Sequence, residues 1–241
     1  VITRTSNTVL TITLPVNDYY LIANESVTLT LNSSLLVSNS ALSNTQNFTV
    51  LNESAKLKLT GTALGTTESN IKAGGKIIDI TVQNDNWISS LNSTLATTLV
   101  NSFIGSENWS AVKNALKTII AVDYTTVISR INDTVIRISL PATDDYFLPA
   151  DETVVVTLNS SFCVSSTSPV NSPTFLVLNE TPAISISGTA SGTNESGIRS
   201  GTKTVKITVQ NDKWVTNFTQ TLYHNLVNSF AGDQNWNLVT T

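Results

Sequence analysis

Apolar and polar residues alternate with a period of two through much of this chain. Leu10, Ile12 and Leu14 are interleaved with Thr11 and Thr13, Val27, Leu29 and Leu31 with Thr28 and Thr30, and Ile78, Ile80 and Val82 with Asp79 and Thr81. The alternation returns at Ile136, Ile138 and Leu140, at Val154, Val156 and Leu158, and at Val205, Ile207 and Val209. Successive strand side chains point to opposite faces, so each run predicts a strand with one face on a core and the other in water. Short strands at 48–51 and 56–60 complete the set. AGGK at 73–76 and SGTK at 200–203 read as tight turns, because glycine tolerates the positive φ that hairpins need.

The period changes after each repeated tryptophan. Leu91, Leu95, Leu99 and Phe103 are spaced by four, as are Phe218, Leu222, Leu226 and Phe230, which predicts amphipathic helices over about 89–103 and 216–230. Ser89 or Ser90, and Thr216 or Asn217, are natural N-caps, and Gly105 and Gly232 stand where each helix stops. The QND-x-W stretches before them read as corners between strand and helix, with Trp87 and Trp214 filling the space between helix and sheet. Short strands punctuated by turns predict a mainly β chain of immunoglobulin-like β-sandwich domains, each ending in one amphipathic helix.

These patterns occur twice because the sequence does. TVQNDNW at 81–87 returns as TVQNDKW at 208–214, and VITRTSNTVLTITLP at 1–15 as VISRINDTVIRISLP at 127–141. The offset is 126 until one extra residue near Asp144 and 127 thereafter. Gly61, Gly65, Glu68, Ser69 and Gly74 then fall on Gly188, Gly192, Glu195, Ser196 and Gly201, and LVNSF recurs at 99–103 and 226–230. The expected organisation is two tandem domains of similar length. Repeat 1 spans 1–114, with strands to about 87, and repeat 2 spans 127–241, with strands to about 214. A connector at 115–126, apolar at Ile119, Ile120 and Val122, leads into the first strand of repeat 2. The two repeats are expected to superpose as near-identical sandwiches with Trp87 and Trp214 both buried.

Composition narrows the class. The 241 residues are 40% hydrophobic but only 12% charged, with Ser and Thr about a quarter of the total, so hydroxyls and amides make the surface polar. A net charge of −4 and a pI near 4.9 offer no electrostatic footprint for nucleic acid or an anionic membrane. No apolar run reaches the length of a membrane span. The chain contains no Met and opens in register with an internal repeat, as expected of a piece of a longer secreted precursor. The lone Cys163 replaces Leu36 of the first repeat and reads as a small core residue.

Eleven N-x-S/T sequons begin at Asn24, Asn32, Asn47, Asn52, Asn92, Asn108, Asn132, Asn159, Asn179, Asn194 and Asn217. Asn32 matches Asn159 and Asn52 matches Asn179, at the ends of expected strands, so covalent N-glycans are the expected modification. Pro182 counts against the Asn179 site. Catalysis has little to draw on, and no enzyme activity or cofactor is expected. His224 corresponds to Thr97 and reads as a helix-surface residue, while no nucleophile elbow or zinc spacing is present. GTALGT at 61–66 lacks the following Lys of a phosphate loop. Glu68, Glu195, Asp85 and Asp212 recur between repeats, but no D-x-D-x-D run points to calcium. Trp87, Trp109, Trp214 and Trp236 read as core residues, with sugar stacking as the alternative.

RTSNTVLTITLP, TGTALGTTESNIKAGGKIIDITVQNDNW and the closing helix resemble the tandem immunoglobulin-like repeats of long extracellular proteins known mainly from environmental sequences. In overall character the chain also resembles subunits of glycosylated extracellular fibrils. The resemblance implies a structural or adhesive role outside the cell, secreted or at the cell surface, with no family active site. The first functional reading is a subunit of an N-glycosylated filament or surface layer, self-assembling head to tail. The second is a modular adhesin or carbohydrate-binding protein whose partner is a surface carbohydrate. In the first reading, Val1, Ile2, Thr3 and Arg4 sit at a subunit junction against the C-terminal repeat of a neighbouring chain, by donated-strand pairing in its stronger form. A continuous longer polypeptide is the alternative.

Overall fold

The computed structural model describes residues 1–17, 19–41, 45–232 and 236 and shows a β-rich chain with short helices. Asp18 lies outside the described residues. The N-terminal segment holds two antiparallel pairs, β1 (Ile2–Arg4) with β2 (Leu10–Ile12) and β3 (Glu25–Leu29) with β4 (Gln46–Val50). There follow β5 (Lys56–Thr60), β6 (Thr66–Thr67), α1 (Glu68–Lys72), β7 (Ile77–Gln83), α2 (Ser93–Asn101), β8 (Phe103–Ile104) and α3 (Trp109–Asp123). The second repeat continues with β9 (Ile128–Arg130), β10 (Val135–Ser139), β11 (Glu152–Val156) and β12 (Thr174–Leu178).

Strands from both repeats meet in the same sheets. One has the order β5-β7-β10-β9 and the other β6-β12-β11-β8. Strand β10 lies antiparallel to β7, with Ile136 opposite Ile80 and Ile138 opposite Ile78. The inward residues of both sheets, including Leu57, Ile80, Ile136, Val154 and Phe175, belong to one hydrophobic core. Helix α2 adds Leu99 and Val100 to it, and α3 adds Trp109, Val112, Leu116 and Ile120.

Among the described residues, every buried hydrophobic side chain lies between Ala55 and Val177. The packed unit, residues 55–179, is therefore offset by half a repeat from the sequence boundaries at 114 and 127. Its leading half, 55–126, comes from repeat 1 and the stretch after it, and its trailing half, 127–179, from repeat 2. The stretch 115–126, expected as a connector, is mostly helix, since α3 runs to Asp123 and a 3-10 turn follows at Tyr124–Thr126. Trp109, Val112, Leu116 and Ile120, spaced by three, four and four, put one apolar face of α3 on the core. The Tyr124 hydroxyl, donating to the Leu91 carbonyl at 2.8 Å, ties the end of α3 to the segment before α2.

Helix α2 is shorter than its apolar spacing predicts. Asn92, not Ser89 or Ser90, caps it, its Oδ1 accepting from the Leu95 amide at 2.9 Å. Phe103 has left the helix to pair, in β8, with Val156. The expected turn at 73–76 is present, with Gly74 at φ 74° and Gly75 at φ 72°. A Cβ on Gly74 would sit 2.5 Å from the Ala142 amide nitrogen, so this turn also requires glycine for close backbone approach.

The C-terminal segment, from Glu180, forms a separate compact body. It contains β13 (Ala183–Ser187), α4 (Glu195–Arg199), β14 (Lys206–Gln210) and α5 (Gln220–Asn228). Strands β13 and β14 pair from Ala183 opposite Gln210, the β5–β7 register shifted by one repeat. Thr219, rather than Thr216 or Asn217, caps α5 through the Leu222 amide.

Candidate assembly interface

The joint between the two halves of 55–179 carries backbone and side-chain hydrogen bonds from both of its sides. Backbone ladders open it, and Trp87 locks it. The Trp87 amide donates to the Asp133 carbonyl at 2.7 Å, its indole Nε1 donates to the Thr134 carbonyl at 2.8 Å, and its own carbonyl accepts from Arg130 Nη2 at 3.1 Å. The indole is 0% exposed. Burying so large a side chain is favourable, and its one polar atom is satisfied by the opposite half.

Buried carboxylates hold the joint elsewhere. Glu68 of the leading half accepts from the Leu148 amide of the trailing half at 2.7 Å. Asp85 accepts from the hydroxyl of Ser165 and, at 2.8 Å, from the Asn86 amide. Glu152 reaches in the other direction, accepting from the Ser106 amide at 2.5 Å while its second oxygen accepts from the Tyr146 hydroxyl at 2.6 Å. Burial, and then the Glu152 carboxylate, push the Tyr146 phenol far above its ordinary range. Near the surface Arg137 forms a bidentate pair with Asp79, at 2.8 and 2.9 Å. Losing one partner of a buried bond leaves the other desolvated and unpaired, so these contacts penalise any separation of the halves.

Both halves recur in the chain without this cover. Residues 1–52 repeat the trailing half, and 180–241 repeat 53–114, the larger part of the leading half. Their internal order is retained. The β1–β2 and β3–β4 registers are those of β9–β10 and β11–β12 shifted by one repeat. Tyr19 donates to Glu25 as Tyr146 does to Glu152. The Asn52 side chain donates to the Leu21 carbonyl as that of Asn179 does to Leu148.

What differs is exposure. Leu10 and Ile12 are each 61% exposed, against 0% and 1% for Ile136 and Ile138. In the C-terminal body Trp214 is 45% exposed, which corrects the expectation that both tryptophans are buried and both repeats alike. Trp214, Val205, Ile207, Val215, Phe218 and Leu226 line an open apolar groove of about 380 Å³. The corresponding Ile78, Ile80 and Trp87 are covered by the trailing half. Each such side chain withdrawn from water contributes roughly 1.5–3 kcal/mol, so a groove lined by six apolar residues is a stronger signal than scattered surface apolars.

The sequons divide by what their side chains do. Asn32 and Asn159 take equivalent exposed places before 3-10 turns, each Oδ1 accepting from the backbone of Ser34 or Ser161, at 2.9 and 3.1 Å. Asn92 and Asn194 are exposed helix caps, and Asn132 is exposed in the β9–β10 turn, its Oδ1 accepting from Thr134. Asn24, Asn47 and Asn217 are exposed and Asn108 half-buried. Asn52 and Asn179 commit the nitrogen that would carry a glycan to a backbone carbonyl. Of the junction residues, Ile2, Thr3 and Arg4 form β1 and are paired to β2, and the Val1 amine donates to the Thr13 carbonyl at 2.8 Å.

Among the described residues no His, Cys, Asp and Glu group could hold a metal ion, and no helix is long and apolar enough to cross a membrane. Cys163 is buried against the joint, paired across an isolated bridge to Trp87. Burial, and then Asp85, push its thiol up to about 12. A maleimide at pH 8 should therefore leave the folded chain unlabelled and label it fully in denaturant. No family model matches the chain, and neither the curated proteins nor the solved structures contain a match.

Proposed function

We propose that the chain is a structural subunit of an extracellular, N-glycosylated filament or surface layer, built head to tail from immunoglobulin-like sandwich modules. The observation that carries this reading is that one packed module takes its halves from two successive repeats. A repeat of this kind offers an open trailing half on one side and an open leading half on the other. Such contacts are heterologous, and heterologous contacts propagate into lines unless their rotation closes a ring. The sheet orders β5-β7-β10-β9 and β6-β12-β11-β8 around one core support the sandwich reading of each module.

A coat of N-glycans fits a chain with few charges, and Asn32 and Asn159 present equal opportunities for it. Intact-mass measurement of native material before and after glycosidase treatment should show a loss of mass, with peptide mapping placing glycans at both sites alike. Electron microscopy of the same material should show filaments or a periodic layer. Unchanged mass together with dispersed single particles would count decisively against the reading.

The adhesin or carbohydrate-binding alternative draws on Trp214, whose ring centroid lies 6.5 Å from that of Phe218, beside the open groove. The same face in residues 55–179 is filled by protein, with Trp87 sealed at 0% exposure, so a protein occupant suits the groove better than a sugar.

A further inference from the structure

We infer that residues 1–52 of a second copy of this chain occupy the open face of residues 180–232, closing another module like the one at 55–179. The inference deepens the filament reading and rests on it for the direction of assembly. The occupant is named by sequence: the segment that covers the leading half in the closed module is 127–179, and 1–52 is its repeat, folded into the same strand registers. The faces match in chemistry too. Leu10, Ile12 and Phe48 are exposed on one side, and Ile184, Ile186 and Trp214 on the other.

The closed module fixes the register of the new joint. Ile136 opposite Ile80 and Ile138 opposite Ile78 become Leu10 opposite Ile207 and Ile12 opposite Val205. The meeting strand is therefore β2, with β1 at the outer edge as β9 is in the closed module. This revises the junction drawn at Val1–Arg4: of those residues it is Arg4, the counterpart of Arg130, that reaches across, toward the Trp214 carbonyl. The Trp214 indole donates to the Thr8 carbonyl, Glu195 accepts from the Leu21 amide, and Asp212 accepts from the Ser38 hydroxyl, as Trp87, Glu68 and Asp85 do with their partners. The Asp79–Arg137 pair is not repeated, since Lys206 and Thr11 stand in those places. The new joint is accordingly less dependent on salt at that point.

Thr11 and Lys206 are both exposed and fall opposite each other in this register, which makes them the probe. Chains of these 241 residues carrying Thr11→Cys and chains carrying Lys206→Cys are mixed under mild oxidation and run without reductant. The expected result is a disulfide-linked species of twice 25.8 kDa plus glycans that needs both variants and is lost on adding Leu10→Asp to the first. No such species in the mixture overturns the inference. So does a chain carrying both cysteines that cross-links only within itself, since its ends then close on each other. Electron microscopy of unmodified protein separates the two claims. Filaments without the cross-link keep the filament reading and reject this joint, whereas the cross-link with only closed pairs of chains keeps the joint and rejects the filament.

Discussion

Replacing Trp87 with alanine should lower the unfolding free energy of the closed module by about 3–5 kcal/mol, whereas Trp214→Ala should leave it within about 0.5 kcal/mol. The two residues share their sequence context, QNDNW and QNDKW, and differ in what covers them. Trp87→Ala empties a fully buried site and leaves the Thr134 carbonyl without its indole donor. Trp214, at 45% exposed, has no filled site to vacate. Denaturant titration of dilute, unassembled protein, followed by circular dichroism, reads the module directly. For a domain of this size the Trp87 change corresponds to a drop in Tm of roughly 10–20 °C. Equal losses from both variants would mean that the second tryptophan is covered within a single chain and that its face is not open.

The strands were legible because alternation is local. Ile78, Ile80 and Val82 declare their inward face without reference to anything distant, and so do Ile136, Ile138 and Leu140. The pairing of those two strands was not legible. A repeated sequence is a cyclic pattern that can be cut anywhere, and cutting at 114 and 127 gives segments no less similar than cutting at 52 and 179. The choice belongs to long-range contacts, Ile80 against Ile136 above all, which no window of the sequence contains.

One signal for the correct cut was present. Trp109, Val112, Leu116 and Ile120 form a helical stripe that runs through the supposed connector, and a helix with its apolar face on the core cannot be a linker between two cores. Of the apolar residues of 115–126, Ile120 belongs to that stripe and Ile119 packs beside it, while Val122 is exposed. The polar locks were half visible. Glu68 and Asp85 stood out as repeated acids, but repetition cannot tell a buried acceptor from a surface charge. Only the position of Leu148 and Ser165, eighty residues on in each case, gives them their task.

Aspartate placed at the same position of the two repeats should give opposite phenotypes. Ile136 is 0% exposed and lies opposite Ile80 in the β7–β10 ladder, so Ile136→Asp puts a carboxylate among apolar side chains. An unpaired buried charge costs several kcal/mol even after relaxation, comparable with the whole stability of about 5–15 kcal/mol of an ordinary domain. The closed module should fail to fold, read as loss of the cooperative unfolding transition. Leu10 is the counterpart, 61% exposed on the outward-facing N-terminal hairpin. Leu10→Asp there meets water, and the module at 55–179 should melt within about 0.5 kcal/mol of the parent. Its effect should appear only on association, where the same carboxylate would be driven against Ile207 of a neighbouring chain: sedimentation at assembling concentrations should show a single chain where the parent forms larger species. The ordering matters more than either value, because a module completed within one chain would make both substitutions equally damaging to folding. A module completed between chains makes one of them a folding defect and the other an assembly defect, at positions that the sequence repeat treats as the same.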